Sequence, residues 1–206
     1  MNIRVKICGI TRAEDGRAAA QHGAHAIGLM FYEASPRYVA LERAREIIAV
    51  LPPFVVCAGV FVNPNDTQVQ AVLDALHLDL LQFHGDETPE FCRRFGLPYI
   101  KAVRVQEGVD LLQYASRYGA AKGLLLDAHN ESLYGGTGGA FDWRLIPQRL
   151  PLPVILSGGL NAGNVAAAVR QVQPWAVDVS SGVESAKGIK DAAKIAAFMQ
   201  AARSAE

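Results

Sequence analysis

The 206-residue sequence predicts an α/β fold, a (β/α)8 TIM barrel in a single domain over residues 1–206. Three observations lead there. Eight short β-rich runs alternate with amphipathic segments, and their starts are spaced by roughly 20 to 30 residues, one strand-plus-helix unit each. The first run is not followed by the Gly-rich fingerprint of an open doubly wound sheet. No linker, low-complexity tract or shift in composition marks a second unit.

The first strand is read over 4–8, RVKIC, where Val5 and Ile7 alternate with Lys6 and Cys8. Thr11, followed three residues later by Glu14, predicts a capping box that opens the next helix. The remaining strands are read over 26–31, 54–61, 78–83, 99–104, 123–128, 153–158 and 175–180. Helical patterns occupy 41–51, 68–78 and 164–172, and a closing helix is expected over 189–203.

In a barrel, functional side chains stand at the C-terminal ends of strands. Four strands deliver polar groups there. Cys8 ends the first strand, and Gln82 and His84 share a face at the end of the fourth. Asp127 follows three leucines in the sixth, and Asp178 shares a face with Ser180 in the eighth. Lys6 lies on the face of Cys8, and a lysine inside a barrel needs a carboxylate. Asp178 is the expected partner.

Three loops are rich in glycine: YGGTGG (134–139), SGGLNAGN (157–164) and SSGVES (180–185). Glycine lets backbone N–H groups approach an anion closely. The last two loops fall after strands seven and eight, where barrels often build a phosphate site. Arg37 follows Pro36 in the loop after strand two. It is either a solvated charge or a fork for a carboxylate.

Half the residues are hydrophobic, and the formal net charge is zero. Nucleic-acid partners call for a basic excess, so none is expected. The longest apolar stretch, Phe54 to Val62, is far short of the roughly 20 residues of a membrane span. A cytoplasmic protein without membrane attachment is the expectation. Cys8, Cys57 and Cys92 are odd in number and widely spaced, which suits reduced thiols. Cys57 and Cys92 are read as packing. No pair has metal-ligand spacing, so no metal is expected.

The segments KICGIT, SPR, GVFVN, LLQFHG, KAVR, LLLDAH, GGTG, LSGGL and VDVSSGVE occur in this order, nearly end to end. Together they resemble the phosphoribosylanthranilate isomerase family of tryptophan biosynthesis. The resemblance implies an Amadori rearrangement of N-(5'-phosphoribosyl)anthranilate, a small phosphosugar, with no metal or organic cofactor. It implies Cys8 as general base, Asp127 as general acid and Arg37 as the holder of the anthranilate carboxylate. His84 and Asp178 match positions near the substrate. Gly136, Thr137, Gly138, Gly158, Gly159, Ser181 and Gly182 match the phosphate loops. A monomer or a homodimer is expected. Phe83 and Ser157 depart from the family's pattern, away from the acid and base.

The chemistry makes demands of its own. A free thiol has a pKa of about 8.5, so Cys8 needs a cation such as Lys6 to become thiolate. A free aspartic acid, with a pKa of about 3.9, is ionised at neutral pH, so Asp127 needs either a raised value or a small protonated fraction that reacts fast. Burial beside Leu124, Leu125 and Leu126 acts in that direction. Two rival readings stand beside this one. The related histidine-pathway isomerase pairs two aspartates, and Cys8 argues against it. A non-catalytic sugar-phosphate-binding barrel is permitted by the glycine loops and disfavoured by Cys8 with Asp127.

Overall fold

The computed structural model describes residues 3–128 and 142–205. Eight parallel strands close into a barrel in chain order, β8 pairing back onto β1. They are β1 (Arg4–Cys8), β2 (Ala26–Met30), β3 (Val56–Phe61), β4 (Leu80–Phe83), β5 (Tyr99–Val105), β6 (Leu124–Ala128), β7 (Val154–Leu156) and β8 (Ala176–Val179). Helices α1 (Ala13–Gln21), α2 (Leu41–Ala49), α3 (Asp66–Ala75), α4 (Pro89–Cys92) and α5 (Leu111–Arg117) follow the first five strands. Helices α6 (Val165–Val172) and α7 (Ala192–Arg203) follow β7 and β8. Among the described residues, the β6–β7 connection holds only a 3₁₀ turn, Trp143–Leu145. None of the described helices is long and apolar enough to cross a membrane.

Strand parity explains the interior. In LLLDA, Leu124 and Leu126 turn outward against the helices, while Leu125 joins Ile100, Ala102, Ile155 and Ala176 inside. The period of two then puts Asp127 inside as well. Val5 and Ile7 likewise pack outward and leave Lys6 and Cys8 to the interior. Each fully buried Val, Leu or Ile contributes about 1.5–3 kcal/mol. A shift of one residue in register would bury the charges against the helices and is strongly opposed. Phe83 follows the same parity. It points outward into an aromatic group with Phe61, Phe91, Phe95 and Tyr99.

Several boundaries differ from the sequence reading. The strand expected over 153–158 stops at Leu156, since Gly158 and Gly159 turn the chain at φ +84° and +67°. The strand expected from Phe54 begins at Val56, because Phe54 sits at φ +72° after two prolines. The Thr11–Glu14 capping box does not form: Arg12 is the N-cap, without a side-chain cap bond. Thr11 instead donates its hydroxyl hydrogen bond to the Gly188 carbonyl, and Arg12 grips Asp15. The closing helix starts at Ala192, capped by Asp191. Ile189 and Lys190 belong to a small hairpin, β9 (Glu184–Ala186) with β10 (Ile189–Lys190).

Candidate active site

The C-terminal mouth of the barrel holds a pocket lined in part by Cys8, Arg37, His84, Asp127, Asp178 and Ser181. Each comes from the end of a strand or the loop after it. Beneath the mouth, Lys6 Nζ lies 2.8 Å from Asp178 Oδ1, the expected pairing. Ser157 Oγ donates to Asp178 Oδ2 at 3.2 Å. Burial would push the Lys6 ammonium down, but Asp178 and Cys8 beside it raise it above its ordinary value.

Cys8 is buried, and burial pushes its thiol up; Lys6 opposes this without overcoming it. The cation expected to activate the thiol is therefore present, yet desolvation outweighs it. Gly28 makes the room for both groups. A Cβ there would stand 2.7 Å from Cys8 Sγ and 3.0 Å from Lys6 Nζ. Cys57 and Cys92 are buried free thiols away from the mouth, each pushed up to about 12, first by burial.

On the other wall, His84 Nε2 lies 3.0 Å from Asp127 Oδ2. Gln82 Nε2 lies 2.9 Å from His84 Nδ1. The loop after His84 is held from outside the barrel. Lys101, fully buried, donates to the Gly85 carbonyl at 2.6 Å and pairs with Glu87 at 3.3 Å. Glu87 in turn accepts the Gly85 amide. Losing one partner of such a buried pair costs about 3–5 kcal/mol.

Arg37 is 9% exposed, and its fork is already engaged. Its Nε and Nη2 each donate to Glu184 at 2.8 Å. Glu184 also accepts from Lys190 Nζ at 2.8 Å. Burial pushes the Glu184 carboxyl up, but Arg37 and Lys190 outweigh it and hold it below the ordinary value. Arg37 is thus no solvated charge, and the pair with Glu184 leaves the two N–H groups of Nη1 and the second of Nη2 outside it. Gly9, at φ +72°, lets the arginine cross the mouth, where a Cβ would stand 2.5 Å from Arg37 Cδ.

Gly158, Gly159 and Ser181 line the pocket together, with Ser181 opening the 3₁₀ turn Ser181–Val183. Two successive left-handed glycines followed in space by a turn offer N–H groups to an anion. Gly182 does not line the pocket. A Cβ there would collide with the Leu160 carbonyl, so this glycine lets two loops touch. Gly136, Thr137 and Gly138 lie outside the described residues. Among the described residues, no three His, Cys, Asp or Glu side chains gather in a way that could hold a metal ion.

Gly9, Gly28, Glu184 and Lys190 were not singled out from the sequence. Glu184 closes the VDVSSGVE segment, but its partner Arg37 is 147 residues away. Only the closed barrel brings them together.

Residues 5–201 match the family model described as N-(5'phosphoribosyl)anthranilate (PRA) isomerase. The chain is 62% identical over 200 residues to the N-(5'-phosphoribosyl)anthranilate isomerase of Nitrosospira multiformis, covering 97% of this chain and 96% of that one. It is 60% identical to the isomerase of Nitrosomonas europaea, covering 100% and 98%. Among solved structures, phosphoribosyl anthranilate isomerase from Thermotoga maritima superposes with a TM-score of 0.89 at 42% identity, over 98% of this chain and 99% of that one. A phosphoribosyl anthranilate isomerase in complex with reduced 1-(o-carboxyphenylamino)-1-deoxyribulose 5-phosphate superposes at 0.83 with 39% identity, over 98% and 99%. With a closed barrel, a thiol and a carboxyl at one mouth and relatives matched end to end, the chain belongs to the N-(5'-phosphoribosyl)anthranilate isomerase family.

Proposed function

We propose that the chain isomerises N-(5'-phosphoribosyl)anthranilate to 1-(o-carboxyphenylamino)-1-deoxyribulose 5-phosphate, with Asp127 as acid and Cys8 as base. The observation that carries this reading is the placement of Cys8 and Asp127 in one pocket with Gly158, Gly159 and Ser181. Asp127 gives a proton to the furanose oxygen as the C1'–O bond breaks, leaving an iminium. The C2' proton beside that iminium is acidic, and the Cys8 thiolate removes it. The enol-amine then takes a proton at C1' and releases one from the 2'-hydroxyl to give the ketone. Acid, base and product balance without an oxidant or reductant.

Arg37 Nη1 meets the anthranilate carboxylate, while Glu184 keeps the guanidinium plane fixed. Backbone N–H groups around Gly158, Gly159 and Ser181, with the loop carrying Gly136, Thr137 and Gly138, hold the phosphate. Asp178 and His84 contact the sugar and support Lys6 and Asp127 respectively. The site is assigned to the cytoplasm on the same reading.

The test is turnover of phosphoribosylanthranilate made in situ, followed by loss of its fluorescence in the presence of a chelator. Steady loss with appearance of the ketose is expected. A folded protein that leaves this substrate untouched while turning over the histidine-pathway substrate, or neither, overturns the assignment.

We further infer a homodimer joined through the opposite end of the barrel. Phe54, just ahead of β3, is 99% exposed. At the same N-terminal end lies a concavity of about 810 Å³, lined by Ile3, Leu152, Val169, Val172 and Trp175 among others. Seating this ring in a second copy would remove its apolar face from water. One of the Thermotoga maritima structures is of monomers generated from a dimeric isomerase. Phe54→Glu is expected to sediment as a monomer with turnover kept. A wild-type chain that sediments as a monomer at micromolar concentration overturns the dimer.

A further inference from the structure

Gln82 is fully buried in the barrel, and nothing in the proposed chemistry uses it directly. Its amide nitrogen faces His84 Nδ1 at 2.9 Å, and its Oε1 is buried without a hydrogen-bond partner among the described residues. Turning the amide over would set Oε1 against Nδ1 and leave both amide N–H groups without partners. The observed orientation leaves one N–H and the carbonyl. A buried orphan donor is rarer and costlier than an under-used carbonyl.

With an N–H donor against it, Nδ1 must be the bare nitrogen of the ring. The imidazole proton then sits on Nε2, which faces Asp127 Oδ2 at 3.0 Å. The chain of donors therefore runs from Gln82 to His84 to Asp127, inward to outward. We propose that Gln82 is a positioning residue that fixes His84 as its Nε2–H tautomer, so that His84 donates to the Asp127 carboxyl as that group gives up its proton. The proposal rests on the reading of Asp127 as the general acid.

The physical gain is differential. A neutral N–H bonds a carboxylate more strongly than a carboxylic acid, because the acceptor is then charged. Negative charge appears on Asp127 only as the furanose oxygen takes the proton. The bond from His84 thus strengthens along the reaction, which speeds proton transfer without tightening substrate binding. A histidine in the other tautomer would turn a lone pair toward the developing carboxylate and oppose it. A histidine facing an acidic residue in place of Gln82 would be drawn into the doubly protonated form. The glutamine supplies a donor that carries no charge.

The experiment is nitrogen-15 NMR of the histidine rings in the whole protein at neutral pH, with His84 assigned by comparison with His84→Gln. The expected signature is a protonated Nε2 and an unprotonated Nδ1. Gln82→Glu, which turns the donor into an acceptor, is expected to protonate Nδ1. The doubly protonated ring then holds Asp127 as its carboxylate before the reaction, which is expected to lower kcat about 10- to 100-fold with KM held within about twofold. Gln82→Met, which only removes the donor, is expected to give mixed tautomers and a drop of about 10-fold in kcat. His84→Gln, whose amide can donate in place of Nε2, is expected to retain more turnover than His84→Ala.

A wild-type His84 protonated at Nδ1 overturns the proposal, even if both variants fail to fold. So does a Gln82→Glu enzyme whose tautomer changes while kcat does not, or a loss shared equally by kcat and KM. Absence of wild-type turnover would instead overturn the acid–base assignment, and the ring signature would still report on Gln82.

Discussion

Serine at position 8 is expected to lower kcat by about 10³-fold while the protein stays folded, within the 10²–10⁴-fold range of a positioned acid or base. The hydroxyl fits the space that Gly28 leaves for the thiol. It cannot form the anion that removes the C2' proton at accessible pH. Far-ultraviolet dichroism and thermal unfolding check the fold, and steady-state kinetics check the step. The pH dependence adds a second signature. Burial holds the Cys8 thiol above its ordinary value, and Lys6 only partly offsets it. Turnover needs the thiolate together with the Asp127 proton, a form that carries one proton between the two groups, so kcat/KM of the wild type should fall on the alkaline side only above the usual thiol range. Serine should abolish that fall. Near-wild-type turnover in Cys8→Ser would remove the thiol from the mechanism.

Asparagine at position 127 is expected to cost about 10²- to 10⁴-fold in kcat, with KM changed only a few-fold. The amide keeps the size of the carboxyl, and its oxygen can still accept the His84 N–H now given to Asp127 Oδ2. What it lacks is a proton to place on the furanose oxygen. The loss belongs to the chemical step, so single-turnover kinetics should slow as much as steady state. A rise in KM with kcat preserved would make Asp127 a binding group instead.

The barrel and much of its mouth were legible because strand parity is a local property. Alternation within RVKIC, LLQFH, LLLDA and AVDVS was enough to send Cys8, His84, Asp127 and Asp178 to one interior. The Lys6–Asp178 pair followed, since a buried ammonium admits few partners. Features that depend on chain segments meeting across the mouth were not legible. Arg37 looked like a fork for an outside carboxylate, and Glu184 takes two of its nitrogens. Gly9 and Gly28 matter for side chains that pass over them, which no spacing reveals. Thr11 had the form of a cap but is used by a hairpin 177 residues later. The closing helix lost its first two expected residues to the same hairpin.

The buried pair of Lys6 and Asp178 spans 172 positions of sequence and joins the first strand to the last. A chain emerging from synthesis has its thiol almost at once, but the counter-charge for the neighbouring ammonium arrives near the end. Ser157, Gly158, Gly159 and Ser181 arrive late as well. Neighbouring strands can pair in chain order before this contact forms, so the junction of β1 with β8 is the one that must wait for the end of the chain. A nascent or partly assembled barrel therefore carries the Cys8 thiol with neither the partner of its neighbouring ammonium nor the glycine loops of the finished mouth. Chemical competence is the last property this polypeptide acquires, and the meeting of its first and last strands is the event that confers it.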